Sequence, residues 1–248
     1  MIKYIGSKRK LLPWIEELIG LVPDVDHGRE LFSGTARVGH ALKRLGYRVT
    51  TNDHNAYAET LARCYVEADR KDVETEARRW IEELQELPGE EGPFTETYCR
   101  KSRYLHPKNG ARIEAIRNRI AGASLAPELE AVLLVSLLEA ADRVDSTTGV
   151  QMAFLKSWAP RAMNDLELRM PDVLPRAAKG KARTLRLDAK DAAAAAPADL
   201  VYLDPPYNQH SYLGNYHVWE SLVRWDHQDT YGIACKRVEC KERRSPFN

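Results

Sequence analysis

Long hydrophobic runs are missing from this sequence. The longest apolar stretches, such as AVLLVSLLEAA at 131–141, are much shorter than the roughly 20 residues that span a bilayer. The N-terminal MIKYIGSKRK has no signal-peptide core. These absences predict a cytoplasmic protein with no membrane partner.

Paired cysteines and a strong net charge are absent as well. The four cysteines are scattered without a CxxC pair, so the sequence predicts neither a disulfide framework nor a metal site. The net charge of +1 gives no overall basic signature. Basic residues do cluster near both ends, from Lys3 to Lys10 and from Lys236 to Arg244. Such clusters form either a phosphate-binding face or ordinary solvated surface.

What is present is an α/β pattern that stops and then resumes. GRELF at 28–32 and YRVTTN at 47–52 predict strands, and ARVGHALKRLG between them predicts a helix that ends at Gly46. Strand signals return only with ARTLRL at 182–187 and DLVYL at 199–203. This order is typical of a doubly wound α/β domain.

The interruption has helical periodicity from about residue 56 to residue 175. Its apolar residues recur at three- and four-residue spacing, with breaks at prolines and glycines and no repeat period. We therefore predict one discontinuous α/β domain, 1–69 and 181–248, interrupted by a largely helical insertion at 70–180 that serves recognition.

A glycine turn follows the first predicted strand in ELFSGTARVG, residues 30–39. Backbone N–H groups near Gly34 would face the carboxyl edge of the sheet, where cofactors bind in open α/β folds. Asp53 follows the second strand about 20 residues later, the spacing at which a carboxylate accepts hydrogen bonds from ribose hydroxyls. The alternatives are a structural turn at Gly34 and a helix N-cap at Asp53.

The fourth predicted strand ends in Asp204-Pro205-Pro206-Tyr207. Proline has no N–H and pushes the preceding residue toward extended geometry, so this corner offers hydrogen-bond acceptors only. A carboxylate and a backbone carbonyl can receive both hydrogens of an exocyclic amine, and Tyr207 adds a face for stacking on a base. The alternative is a strand ended by prolines with a solvated aspartate.

These segments together resemble the D12 class of DNA adenine methylases. The resemblance rests on KYIGSKRKLL, ELFSGTARVG followed by Asp53, the helical insertion, Asp188, and VYLDPPYNQHSYLGNYHVWE, and it covers the whole chain. It implies a Rossmann-like methyltransferase sheet that uses S-adenosylmethionine. It also implies methylation of the N6 amine of adenine at a specific site in double-stranded DNA, within a restriction-modification system that can include a partner endonuclease.

The resemblance also implies roles for individual residues. Those matched to the cofactor are Tyr4, Gly6, Lys8, Phe32, Ser33, Gly34, Thr35, Asp53 and Asp188. Those matched to the target amine are Asp204 and Pro205, with Tyr207 as the stacking partner. Hydrogen bonds to Asp204 and to the Pro205 carbonyl would make the amine more nucleophilic, and flipping the base out of the duplex would cost a few kcal/mol. Candidate DNA contacts are Lys156, Arg161, Lys236 and Arg237.

The sequence departs from the family pattern in two ways. Glu30 and Ala36 stand where many relatives have Asp and Gly, and the chain stops at RRSPFN, where the family continues into further strands. We therefore expect that C-terminal strands are missing and that activity is impaired. The alternatives are an inactive fragment that only binds DNA or cofactor, and an enzyme acting on cytosine or RNA. A dehydrogenase is disfavoured because Phe32-Ser33-Gly34-Thr35 lacks the spaced glycines that bind a pyrophosphate.

Overall fold

The computed structural model describes residues 1–195, 197–206 and 211–242. Its strands are β1 (His27–Glu30), β2 (Arg48–Asn52), β3 (Arg183–Leu185), β4 (Leu200–Tyr202), β5 (Thr230–Tyr231) and β6 (Lys236–Arg237). Its α-helices are α1 (Leu12–Gly20), α2 (Arg37–Arg44), α3 (Ala56–Ala62), α4 (Arg70–Gln85), α5 (Pro93–Thr95), α6 (Pro107–Ala121), α7 (Pro127–Arg143), α8 (Ala189–Ala194), α9 (Tyr212–Asn215), α10 (His217–Arg224) and α11 (Glu239–Glu242). Two π-helical segments, Arg63–Glu67 and Glu96–Lys101, extend α3 and α5.

The central sheet is parallel, with the strand order β3-β2-β1-β4. Consecutive strands β1 and β2 are joined by α2, which packs its apolar residues Val38 and Leu42 into the core. Gly46, just after α2, has φ 95°, the left-handed conformation that commonly ends a helix. The prediction of an α/β fold with a parallel sheet is confirmed.

An arginine within the central strand supports the neighbouring helix. Arg29 of β1 is 3% exposed, and its Nη1 donates to the carbonyls of Ala192 at 3.0 Å and Ala193 at 2.8 Å. These carbonyls lie at the end of α8, where helical N–H partners run out, so a cation satisfies them well. The contact holds α8, which begins directly after Asp188, against the sheet.

The core extends from the sheet into the helices of residues 70–180. One cluster of buried apolar side chains includes Val49 of β2 together with Ile116 of α6 and Leu134 of α7. An ion-pair group also ties the two parts together: the buried Lys43 donates to Asp69 at 2.9 Å, and Asp69 accepts from Arg176 at 2.7 Å. The division into a discontinuous domain and an insertion at 70–180 stays a prediction.

The prediction of helix up to about residue 175 is wrong for roughly its last quarter. After α7 the chain follows an irregular course to β3, with one 3-10 turn at Pro160–Met163. Thr147, Thr148 and Gly149 open this region, and several prolines follow, so regular helix cannot continue. Buried polar side chains replace the helical hydrogen bonds: Gln151, for example, accepts from the N–H of Val218 at 2.9 Å.

Candidate active site

A cleft lies at the carboxyl ends of the four parallel strands. Its lining contains every residue that the sequence predicts to hold the cofactor: Tyr4, Gly6, Lys8, Phe32, Ser33, Gly34, Thr35, Asp53 and Asp188. Asp204 and Pro206 line it too, whereas Pro205 is exposed and is not part of the lining. Tyr207 lies outside the described residues. The fold thus brings residues from five separate stretches of the chain to one sheet edge.

The glycine turn has the backbone that close approach requires. Gly34 has φ 51°, and a Cβ built there would stand only 3.1 Å from a ring carbon of Tyr4. A side chain at this position would be strained and would press on the tyrosine. Ala36 also has a left-handed backbone, with φ 57°, although it carries a Cβ and is fully buried. Ala36, which stands where many relatives have glycine, therefore has a strained backbone conformation.

Asp53 supports the glycine turn directly. Its Oδ2 accepts from the N–H of Gly34 at 2.9 Å, and its Oδ1 accepts from the N–H of Asn55 at 3.0 Å. The N-cap residue of α3 is Asn55, so Asp53 is not the helix cap. The side-chain amide of Asn55 donates to the same Oδ1 at 3.3 Å, so the Asp53 carboxylate ties the glycine turn to the start of α3.

Two polar residues that sequence analysis did not single out organise this edge. Glu220 of α10 accepts from the N–H groups of Ala56 at 3.1 Å and Tyr57 at 3.0 Å, and so caps α3. The buried Asn52 side chain donates to the carbonyls of Leu31 and Leu187, both at 3.2 Å. Asn52 thereby joins the ends of β1 and β3 across β2. The sequence carries no local signal for Glu220, whose partners are over 160 positions away.

Glu30 lies at the floor of the cleft and is 2% exposed. Burial, with smaller contributions from the carboxylates of Asp53 and Asp204, raises its pKa to about 8, although a hydrogen bond from Gly39 N–H acts in the opposite direction. That bond is 2.9 Å long. Glu30 is therefore mostly protonated at neutral pH, and it adds little negative charge beneath the cleft.

Lys8 contacts the aspartate of the proline corner. Its Nζ lies 2.5 Å from Asp204 Oδ2 and also donates to the carbonyl of Gly6 at 3.1 Å. Gly6 has φ 73°, a conformation that favours glycine. The N-terminal motif and the fourth strand therefore meet across the cleft, although almost 200 residues separate them in sequence.

Three tyrosines stack along one wall. The ring of Tyr4 lies 4.7 Å from that of Tyr216 and 5.5 Å from that of Tyr212, measured between centroids. Tyr216 OH also accepts from the N–H of Ile5 at 2.6 Å. Burial raises the pKa of Tyr4 well above its ordinary value, so the phenol stays neutral. Tyr212 lines the cleft and was not predicted; its spacing of four from Tyr216, on the segment after the prolines, was the available signal.

The residues predicted to contact DNA differ in their surroundings. Lys156 is exposed, and Lys236 is half-buried on β6, whereas Arg161 is held by Asp145 at 2.7 Å. Arg237 is fully buried and binds both Asp226, at 2.7 Å, and Glu239, at 3.0 Å. The assignment of Arg237 as a surface DNA contact is therefore corrected: its guanidinium is committed to internal carboxylates, an arrangement that the basic cluster in the sequence does not reveal.

The cleft fits S-adenosylmethionine by its chemistry. Ser33 Oγ lines the cleft and is buried without a hydrogen-bond partner among the described residues, so a ligand atom would satisfy it. The lining has more carboxylates than cations, which suits a ligand with a sulfonium and an ammonium group. Asp53 and Asp188 offer acceptors at the ends of β2 and β3. Within the described ranges, no cluster of His, Cys, Asp or Glu could hold a metal ion.

A Rossmann-like parallel sheet with this cleft at its carboxyl edge defines a methyltransferase-type α/β domain. The D12 class N6 adenine-specific DNA methyltransferase family matches residues 4–248. The chain belongs to this family, and the resemblance predicted from its motifs is confirmed. In the part of the chain that the structure describes, no helix is long and apolar enough to cross a membrane.

Three curated relatives are similar over most of the chain. Type II methyltransferase M.FokI of Planomicrobium okeanokoites is 32% identical over 98% of this chain and 41% of its own length. Type II methyltransferase M.NlaIII of Neisseria lactamica is 32% identical over 91% of this chain and 70% of its own length. Modification methylase StsI of Streptococcus sanguinis is 32% identical over 94% of this chain and 38% of its own length. The chain thus spans less than half the length of two of these relatives.

Proposed function

We propose that this chain transfers a methyl group from S-adenosylmethionine to the N6 amine of adenine at a specific site in double-stranded DNA, as the modification activity of a restriction-modification system. The observation that carries the proposal is the single cleft shared by Asp204, the glycine turn, Asp53 and Asp188. Family membership and the names of the relatives support it.

Asp204 would receive the target amine. When bound, S-adenosylmethionine supplies the methyl group on a positively charged sulfur. The Asp204 carboxylate accepts one N–H of the amine and the Pro205 carbonyl the other, which favours a tetrahedral nitrogen with an available lone pair. Tyr207 would stack on the flipped base.

Lys8 would position Asp204 for this task. The Lys8 ammonium holds Oδ2 at 2.5 Å, so the carboxylate cannot rotate freely. Its Oδ1 is therefore kept in one position, from which it can accept a hydrogen bond from the target amine. Lys8 thus acts on the aspartate, while Asp204 contacts the substrate.

The rest of the chain would hold the two substrates. Asp53 and Asp188 bind the ribose and adenine of the cofactor, and Ser33 and Gly34 approach its methionine part. We propose that residues 70–180 face the DNA and that their exposed Lys156 lies near phosphates. The half-buried Lys236 of β6 would add a further phosphate contact.

The test is methyl transfer from labelled S-adenosylmethionine to mixed-sequence DNA, followed by digestion and identification of the labelled nucleoside. We expect label in methyladenine from the wild type and a loss of at least about 100-fold in Asp204→Ala. Asp24→Asn is the matched control. Asp24 is exposed, precedes β1 on the opposite side of the sheet, and has φ 56°, which asparagine tolerates.

Label in methylcytosine would refute adenine as the acceptor base and would leave the proposed methyl-transfer mechanism in place. Absence of label from a folded wild-type protein that binds S-adenosylhomocysteine and DNA would favour a binding-only fragment. Full activity in Asp204→Ala would refute the role assigned to Asp204.

A further inference from the structure

We propose that Arg37 is the receptor for the carboxylate at the methionine end of the cofactor. This inference rests on the proposed use of S-adenosylmethionine and adds a residue that neither the motifs nor the comparisons assign. Arg37 is the first residue of α2, directly after the glycine turn, and it lines the cleft.

The guanidinium of Arg37 lacks the partners that a half-buried cation needs. Its Nε is buried without a hydrogen-bond partner, and no carboxylate of the described residues forms an ion pair with it. Burial, together with the nearby charge of Arg9, lowers the pKa of Arg37 below its ordinary value. Keeping this cation in place without an anion is unfavourable, and an anionic ligand group would offset that cost.

The other charged residues of the cleft are unsuited to bind a carboxylate. Asp53, Asp188 and Asp204 would repel it, and Lys8 is paired with Asp204 at 2.5 Å. Arg37 is the cation of the described lining that remains available for an anion.

The strand order places Arg37 at the correct end of the ligand. Across the sheet, Asp188 follows β3, Asp53 follows β2, and the glycine turn follows β1. A ligand with its adenine near Asp188 and its ribose near Asp53 reaches β1 with its amino-acid part. Because α2 begins at that point, its positive N-terminal end adds to the charge of Arg37 there.

Arginine is also the appropriate side chain for this anion. Its planar fork matches a carboxylate with two parallel hydrogen bonds, which a lysine cannot reproduce. Arg37 should therefore distinguish ligands that carry the amino-acid carboxylate from ligands that lack it, and it should affect binding before any methyl transfer takes place.

The experiment is calorimetric binding of two ligands, S-adenosylhomocysteine and its decarboxylated form, to the wild type and to Arg37→Met. Methionine keeps most of the stem and removes the charge. We expect Arg37→Met to lower the affinity for S-adenosylhomocysteine by about 10- to 100-fold and to change the affinity for the decarboxylated ligand by no more than about twofold. Arg9→Met is the matched control, since Arg9 is exposed, close to Arg37 and not part of the cleft lining, and it should change neither affinity.

Arg37→Lys provides a second variant if the methionine variant does not fold. In this variant the ratio of the affinities for S-adenosylhomocysteine and for its decarboxylated form should decrease several-fold, because the point charge of an ammonium replaces the two-pronged guanidinium. Equal weakening of both ligands in either variant, or unchanged affinity for S-adenosylhomocysteine, overturns the proposal. A wild type that binds neither ligand would refute the use of S-adenosylmethionine as cofactor, and this inference with it. Carboxylate-dependent binding without methyl transfer would support the role of Arg37 and refute only the catalytic function.

Discussion

The buried Glu30 should make the stability of this protein fall as the pH rises. Its pKa is about 8 in the folded state, against an ordinary value of 4.5. Between these values the folded state holds a proton that the unfolded state has released, so the free energy of unfolding decreases by about 1.4 kcal/mol per pH unit. The stabilising effect of the neutral form is complete below pH 4.5 and is lost by about pH 8. At pH 7 the loss is about 3 kcal/mol.

Glu30→Gln removes this titration and keeps the shape of the side chain. The amide oxygen can still accept from Gly39 N–H, which lies 2.9 Å from Glu30 Oε2 in the wild type. We expect the difference in unfolding free energy, variant minus wild type, to increase by about 3 kcal/mol between pH 5 and pH 8. Urea unfolding at closely spaced pH values measures it, and other titrating groups cancel in the difference.

Glu82→Gln is the control, because Glu82 lies exposed on α4 and the same substitution is made there away from the cleft. A flat difference for Glu30→Gln as well would refute the assignment of a protonated carboxyl beneath the cleft. A difference that decreases with pH would show that Glu30 is ionised and held by a cation.

The remaining predictions concern backbone strain and misplaced charge. Ala36→Gly should stabilise the protein by about 0.5 to 1 kcal/mol, since glycine relieves the left-handed strain but gains freedom in the unfolded chain; destabilisation on urea unfolding would contradict this. Arg237→Met should lower the unfolding free energy by about 2 kcal/mol, because Asp226 and Glu239 lose their buried partner. The same variant should leave the salt dependence of DNA binding unchanged, whereas Lys156→Ala should reduce the slope by about one; equal slopes for both variants would contradict the assignment.

Local patterns were sufficient for the sheet and for the set of residues at its edge. Strand periodicity, the Gly34 turn and the position of Asp53 are short-range features, and parallel strands necessarily bring their carboxyl ends to one side. The proline corner at Asp204 is equally local. The irregular course of residues 144–182 was not predictable in the same way, because its stability depends on buried polar contacts such as the one between Gln151 and Val218, which belong to distant segments.

The sequence by itself determined the family, the α/β class and the chemical types at the cleft, since each follows from motifs of a few neighbouring residues. Only the tertiary structure decided which charges meet. It pairs Lys8 with Asp204, places Glu220 on the N-terminus of α3, and buries Arg237 among carboxylates. It also leaves Arg37 in the cleft without a carboxylate partner among the described residues. The physical reason is that the energy of a charge depends on its burial and on its neighbours, and most of these neighbours are distant in the chain.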